Sequence, residues 1–238
     1  MLKLRIEFAG SVAKDPAAGV ANEDVYLVDE TRQRFCVADG AGESYSPALW
    51  AKMLSERWIN YDGERASEQL TESVAEFTRQ CNPESLSWSQ IASFNRGTFT
   101  TLLGVRLRGD FLHSVAIGDS LLAISQPCGE VKVFPYDDAE SFDACPELLS
   151  TMPDANRIFT RKSIGRRSRR WKLVRGSRVI LMTDAIGRWL LERRANSEAR
   201  DTLQGFRKES ELTEFVLQGR SKGELRTDDC TLIHLIAD

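Results

Sequence analysis

Histidine is nearly missing from this chain. Only His113 and His234 occur in 238 residues, and both lie in apolar, strand-like runs. This excludes a histidine-rich zinc site and leaves little material for a histidine-based triad. Cysteine is sparse and unpatterned: Cys36, Cys81, Cys128, Cys145 and Cys230 are an odd set of five. No two of them have the two-residue spacing of a redox motif or zinc knuckle; Cys36 and Cys230 lie in apolar runs and read as small core residues, and the set points to a reducing compartment, the cytoplasm. No apolar run approaches the roughly 18 residues of a membrane span. A net charge of -3 lacks the basic excess of a dedicated nucleic-acid binder. There is no internal repeat and no long linker, so residues 1–238 read as one domain.

What is present is ordinary globular composition, with 42% hydrophobic and 28% charged residues. Met1 to Phe8 alternates charged and apolar residues, which predicts a strand rather than a signal peptide. Val25–Val28 and Arg34–Ala38 predict a strand pair. Ser46-Pro47 predicts a helix start, with serine as cap and proline at the first position. Leu49, Trp50, Met53, Leu54, Trp58 and Ile59 give that helix a buried face, and Tyr61-Asp62-Gly63 ends it. A second helix is predicted over Ser67–Gln80, ended by Asn82-Pro83. Four strands follow: Thr98–Arg106, Phe111–Ile117, Leu121–Ser125 and Val131–Phe134, joined by tight turns as in an antiparallel meander. Residues 135–176 read as an irregular, variable flap. Ser177–Thr183 is a strongly apolar strand, Ile186–Glu192, Ser197–Phe206 and Glu211–Leu217 are helix candidates, and Thr231–Ile236 closes the chain as a strand. The fold class is therefore α+β: two antiparallel sheets face to face, flanked by helices.

Acids at strand ends carry the chemistry. Glu23 and Asp24 precede a strand, and Asp39 ends one just before Gly40. Asp119 occupies the turn Gly118-Asp119-Ser120, and Asp184 follows the most apolar strand. Asp228 and Asp229 precede the last strand. Singly, each reads first as a turn or cap residue. Together, carboxylates at one sheet rim repel unless cations lie between them, and Mg²⁺ or Mn²⁺ prefers such oxygen donors. Two such ions can activate a water and clamp a phosphate.

In this order the motifs resemble those of the metal-dependent protein phosphatases, often called type 2C, in their compact bacterial form. They are Asn22-Glu23-Asp24, Phe35-Cys36-Val37-Ala38-Asp39-Gly40-Ala41-Gly42, Gly97-Thr98-Phe99-Thr100-Thr101, Ala116-Ile117-Gly118-Asp119-Ser120, Val179–Asp184 and Asp228-Asp229-Cys230-Thr231. The resemblance implies a helix-flanked β-sandwich and hydrolysis of phosphoserine or phosphothreonine in proteins by a water activated between two Mn²⁺ or Mg²⁺ ions. It implies that Asp39 bridges both ions, that Glu23 and the Gly40 carbonyl complete one site, and that Asp184 and Asp228 hold the other. Asp119, with Asp184, would serve a third, weaker ion, and Asp24 would orient water. The implied partner is a phosphorylated protein made by a Ser/Thr kinase, with no nucleic acid and no membrane. The alternative is an impaired phosphatase-like domain that binds phosphoproteins as a regulatory module.

The chain also departs from the family pattern. Gly19 stands where an arginine usually grips substrate phosphate, with Lys14 or a later arginine as substitutes. Ala41 replaces a histidine, Ala185 a glycine, Asp229 an asparagine and Leu121 an arginine. The basic run Arg161–Arg175 has three readings: a solvated loop, a docking site for an acidic or phosphorylated protein, or a nucleic-acid contact.

Overall fold

Strand β1 (Leu4–Val12) begins the chain, and a loop leads to the hairpin of β2 (Asp24–Asp29) and β3 (Arg34–Asp39). Helices α1 (Pro47–Asn60), α2 (Ala66–Cys81) and α3 (Trp88–Arg96) follow. Next come β4 (Phe99–Thr100), β5 (Leu102–Arg108), β6 (Phe111–Ile117), β7 (Leu121–Ser125) and β8 (Val131–Phe134). A short helix α4 (Ala139–Phe142), β9 (Leu149–Ser150) and β10 (Ser168–Lys172) precede the apolar strand β11 (Arg178–Met182). Helices α5 (Asp184–Glu192), α6 (Ser197–Gly205) and α7 (Glu209–Ser221) lead to β12 (Cys230–Ala237). The computed structural model describes residues 1–60, 66–142, 147–158 and 167–238. Tyr61-Asp62-Gly63, Cys145 and the segment Arg161–Arg166 lie outside the described residues.

Two five-stranded antiparallel sheets form, in the orders β1-β12-β11-β7-β8 and β10-β6-β5-β3-β2. Phe35, Val37, Leu103, Leu122, Leu181 and Leu235 are buried in the core that joins the sheets. The outer face of the second sheet packs Cys36, Ala38 and Leu102 against Trp50, Leu54 and Phe77 of α1 and α2. The outer face of the first packs Ile180 and Leu232 against Ile186, Leu190, Leu203 and Val216 of α5, α6 and α7. The result is the helix-flanked double sheet expected from the residue pattern. No helix among the described residues is long and apolar enough to cross a membrane.

Several elements differ from expectation. The first strand runs on to Val12. Ser46 sits at φ 52, left-handed rather than in the extended backbone of a capping serine, although α1 does start at Pro47. The strand expected over Thr98–Arg106 is broken at Thr101: its N–H keeps the β3 register by donating to the Asp39 carbonyl, but the Asp39 N–H donates to Thr101 Oγ1 rather than to the Thr101 carbonyl. Helix α3 is additional, opened by a capping box between Ser87 and Gln90. The described part of the basic run includes a strand: Arg169, Arg170 and Lys172 lie on β10, an edge strand paired with β6. Arg170 covers the Phe111 ring at 4.4 Å and Arg169 the Phe134 ring at 5.5 Å. Basic side chains on an edge discourage pairing with another sheet.

Candidate metal centre

The register brings the acids to one end of the sandwich. In the second sheet Asp24 opens β2 and Asp39 closes β3, and the two face each other directly across the ladder. In the first sheet Met182, at the end of β11, pairs with Leu121 at the start of β7 and with Leu232 near the start of β12. Asp119, Asp184 and Asp228 are thereby carried to the same end. Val12, at the end of β1, pairs with Cys230, so the 13–23 loop leaves from this rim too.

Hydroxyl side chains fix the acids' backbones. Thr101 Oγ1 accepts the Asp39 N–H at 2.9 Å, and Thr100 Oγ1 donates to the Asp39 carbonyl at 2.8 Å. Thr101 Oγ1 also lies 2.9 Å from Ser120 Oγ, which ties the Asp39 strand end to the Asp119 turn. That turn needs glycine: Gly118 has φ 92, and a Cβ there would fall 2.6 Å from Thr101 Cγ2. Thr183 begins α5 without a side-chain cap, because its hydroxyl donates to Asp24 Oδ2 at 2.8 Å and accepts the Thr231 N–H at 3.0 Å. The Gly40 N–H donates to the Glu23 carbonyl at 3.2 Å, holding these two predicted ligands together.

The electrostatics are those of an acidic cluster. Burial pushes the Asp39 carboxyl well above its usual range, and Asp24, Asp184, Asp119 and Asp228 push it further. Burial also raises Asp24, although hydrogen bonds from Thr183 and Thr231 oppose this. Asp184 is raised to about 7, by burial first and then by Asp119 and Asp228. Asp119 is raised by burial, with Asp228 adding. Asp24 is only 7% exposed, and its Oδ1 is buried with no hydrogen-bond partner. Among the described residues, no group of three or more His, Cys, Asp or Glu side chains closes into a ready-made ion cage. The donor set nonetheless fits hard divalent cations: oxygen ligands only, mutually repelling, and partly unpartnered.

All seven predicted site residues, Glu23, Asp24, Asp39, Gly40, Asp119, Asp184 and Asp228, lie at this rim. The variant positions also gain physical reasons. Ala185 lies within α5, since the helix starts at Asp184 and needs no positive φ there. Leu121 is fully buried and packs in the core, a place unsuited to arginine. Gly19 is exposed at φ 67, with nothing within 4 Å of its Cβ position. Asp229 is 3% exposed and accepts two backbone N–H groups, from Lys14 at 2.6 Å and from Glu23 at 2.6 Å. An asparagine would turn an NH₂ toward one of those donors. The sequence reading missed this clasp, and Arg220, whose guanidinium donates to the carbonyls of Lys14 and Asp228. The two-donor demand on Asp229 leaves no local sequence signal.

The fold and its rim define a class: a helix-flanked β-sandwich with one clustered-carboxylate site. The chain belongs to the protein phosphatase 2C family, whose model matches residues 16–217. No curated protein matches its sequence. Among solved structures it is similar to PppA, a key regulatory component of T6SS in Pseudomonas aeruginosa, with TM-score 0.59, 16% identity and 100% of both chains covered. It is also similar to the catalytic domain of the serine/threonine protein phosphatase PstP in complex with two manganese ions, with TM-score 0.57, 18% identity, and 100% of this chain and 99% of that one covered. RsbX in complex with magnesium aligns with TM-score 0.57 and 15% identity over 100% of both chains.

Proposed function

We propose that this chain is a metal-dependent phosphoserine/phosphothreonine protein phosphatase that reverses the work of a Ser/Thr kinase. The observation that carries the reading is the gathering of carboxylates at one rim, where neighbouring acids add to burial in raising Asp39 and Asp184. Such repulsion is relieved by divalent cations. Asp39, Glu23 and the Gly40 carbonyl would hold one Mn²⁺ or Mg²⁺, and Asp39, Asp184 and Asp228 a second. Asp119 and Asp184 would hold a weaker third. When bound, the ions would supply an activated water and offset phosphoryl charge. Asp24, anchored through Oδ2 by Thr183, keeps Oδ1 free of protein partners and would orient that water. The threonine and serine hydroxyls fix Asp39 against Asp119, so the ligands are placed before substrate arrives. The manganese in the PstP structure and the magnesium in the RsbX structure support this choice of ions.

The test is turnover of phosphothreonine peptides in Mn²⁺. Wild type should release phosphate, and chelation should stop it. Asp39→Ala and Asp184→Ala should each lose at least about a hundredfold in kcat/KM, a barrier rise near ~2.7 kcal/mol. A wild type inert toward every phosphopeptide while still binding Mn²⁺ would replace this reading with the regulatory phosphoprotein-binding module.

A further inference from the structure

The rim is acidic, yet a phosphorylated substrate brings more negative charge to it. Among the described residues, Lys14 brings an ammonium onto one of the site's carboxylates. Lys14 Nζ lies 3.1 Å from Glu23 Oε2, with the lysine side chain about one third exposed at 32%. Its backbone is pinned on both sides. The Lys14 N–H donates to Asp229 Oδ1 at 2.6 Å, and the Lys14 carbonyl accepts from Arg220 Nη1 at 3.1 Å. The same guanidinium holds the carbonyls of Ala13 and Asp228, so one arginine of α7 locks the lysine loop to the loop carrying Asp228. Room for the ammonium is kept at Gly42, where a Cβ would fall 2.7 Å from Glu23 Oε2 and 3.4 Å from Lys14 Nζ. Both backbone groups of this lysine are thus held by side chains from the far end of the sequence. Its root is fixed, and its ammonium is held by one contact, the ion pair with Glu23.

We infer that Lys14 is the residue that grips the substrate's phosphoryl oxygens in this chain, taking the task for which Gly19 offers no side chain. The inference rests on the phosphatase reading above. Without a ligand, the ammonium rests on Glu23. When Glu23 is engaged elsewhere, the nearest anion the flexible stem can serve is an incoming phosphate, through a charge-assisted hydrogen bond. Gly19 cannot take over, because it is exposed in a left-handed conformation that penalises any side chain.

The experiment is calorimetric titration of inorganic phosphate into the Mn²⁺-loaded full chain, for wild type, K14M and K14R, beside steady-state kinetics on a phosphothreonine peptide. Methionine keeps the stem and removes the charge, and the pinning bonds use only the Lys14 backbone, so the fold should persist. Phosphate affinity should weaken about tenfold or more in K14M. KM should rise in parallel, with kcat changing less, and K14R should recover most of the loss. Equal phosphate affinity in wild type and K14M would overturn the inference. So would tighter Mn²⁺ binding in K14M with phosphate affinity unchanged, which would make Lys14 a counter-ion of Glu23 alone. If wild type turns over no phosphopeptide, the phosphatase reading falls, and the phosphate titration still decides Lys14 by itself.

Discussion

Asp24 and Asp39 are cross-strand partners in a ladder where like charges face each other at a cost. With no cation between them, two facing carboxylates cost stability. Asp39→Asn should raise the melting temperature of the protein in chelator, by an amount equivalent to about 1 kcal/mol, because it removes one buried charge and its repulsion. A lower melting temperature than wild type in chelator would argue against that repulsion. His234 presents the opposite case. It is 0% exposed, and neither ring nitrogen has a hydrogen-bond partner. Burial first, then Arg178 and Arg207 against Glu7, lowers it to about 4. The folded state thus keeps the ring neutral, while the unfolded chain takes up a proton near pH 6.5. Stability from this residue is complete above pH 6.5 and falls as the pH drops toward 4. Between pH 7 and pH 5 the loss should be about 2 kcal/mol. Urea midpoints of wild type and His234→Leu at both pH values check this. A variant with the same acid sensitivity as wild type would clear His234 of the effect.

Among the elements, the strands that carry the acids were legible because their signals are local. Apolar runs such as Val179–Met182 end in aspartate, and turns such as Gly118-Asp119 have residues suited to tight reversal. The break at Thr101 was not legible, because it depends on Asp39, far away in sequence, whose N–H takes the Thr101 hydroxyl in place of the Thr101 carbonyl. Strand β10 was hidden by its own basic residues, which suit an edge but resemble a loop when read alone. Helix α3 did have a signal, the Ser87 and Gln90 capping pair, overlooked after the Asn82-Pro83 break. The 13–23 loop shows how much of a site lies in contacts between segments. Asp229 holds both of its ends, at Lys14 and Glu23. Asp229→Asn should free one of the two N–H donors and cost about 1–2 kcal/mol in stability, since a buried donor would face an amide NH₂. It should also weaken Mn²⁺ binding severalfold through Glu23. Denaturant midpoints with and without Mn²⁺ separate the two effects, and an Asn variant indistinguishable from wild type in both would mean the clasp does not govern the loop.

For the molecule as a whole, the placement of the site matters more than any one ligand. Glu23, Asp24 and Asp39 belong to the β2-β3 hairpin of one sheet, whereas Asp119, Asp184 and Asp228 flank β7, β11 and β12 of the other. The apolar layer of Phe35, Val37, Leu181 and Leu235 joins these sheets from within. Ions held by Asp39 together with Asp184 and Asp228 would join them at the rim as well. An ion that binds only this assembled rim stabilises the folded state as a unit. At a hundredfold excess over its dissociation constant the gain is about 2.7 kcal/mol. For a chain of this length that corresponds to a rise in melting temperature of roughly 5–10 °C. Calorimetry in chelator and then in saturating Mn²⁺ should show one transition moving upward intact. The same titration on Asp39→Asn should leave the transition almost where it began, because the residue proposed to be shared between the two sheets' ligand sets is gone. A split transition in wild type, with only part of the heat moving, would mean that the ions stabilise one sheet's loops and not the junction. Equal shifts in wild type and Asp39→Asn would place the ions elsewhere on the molecule.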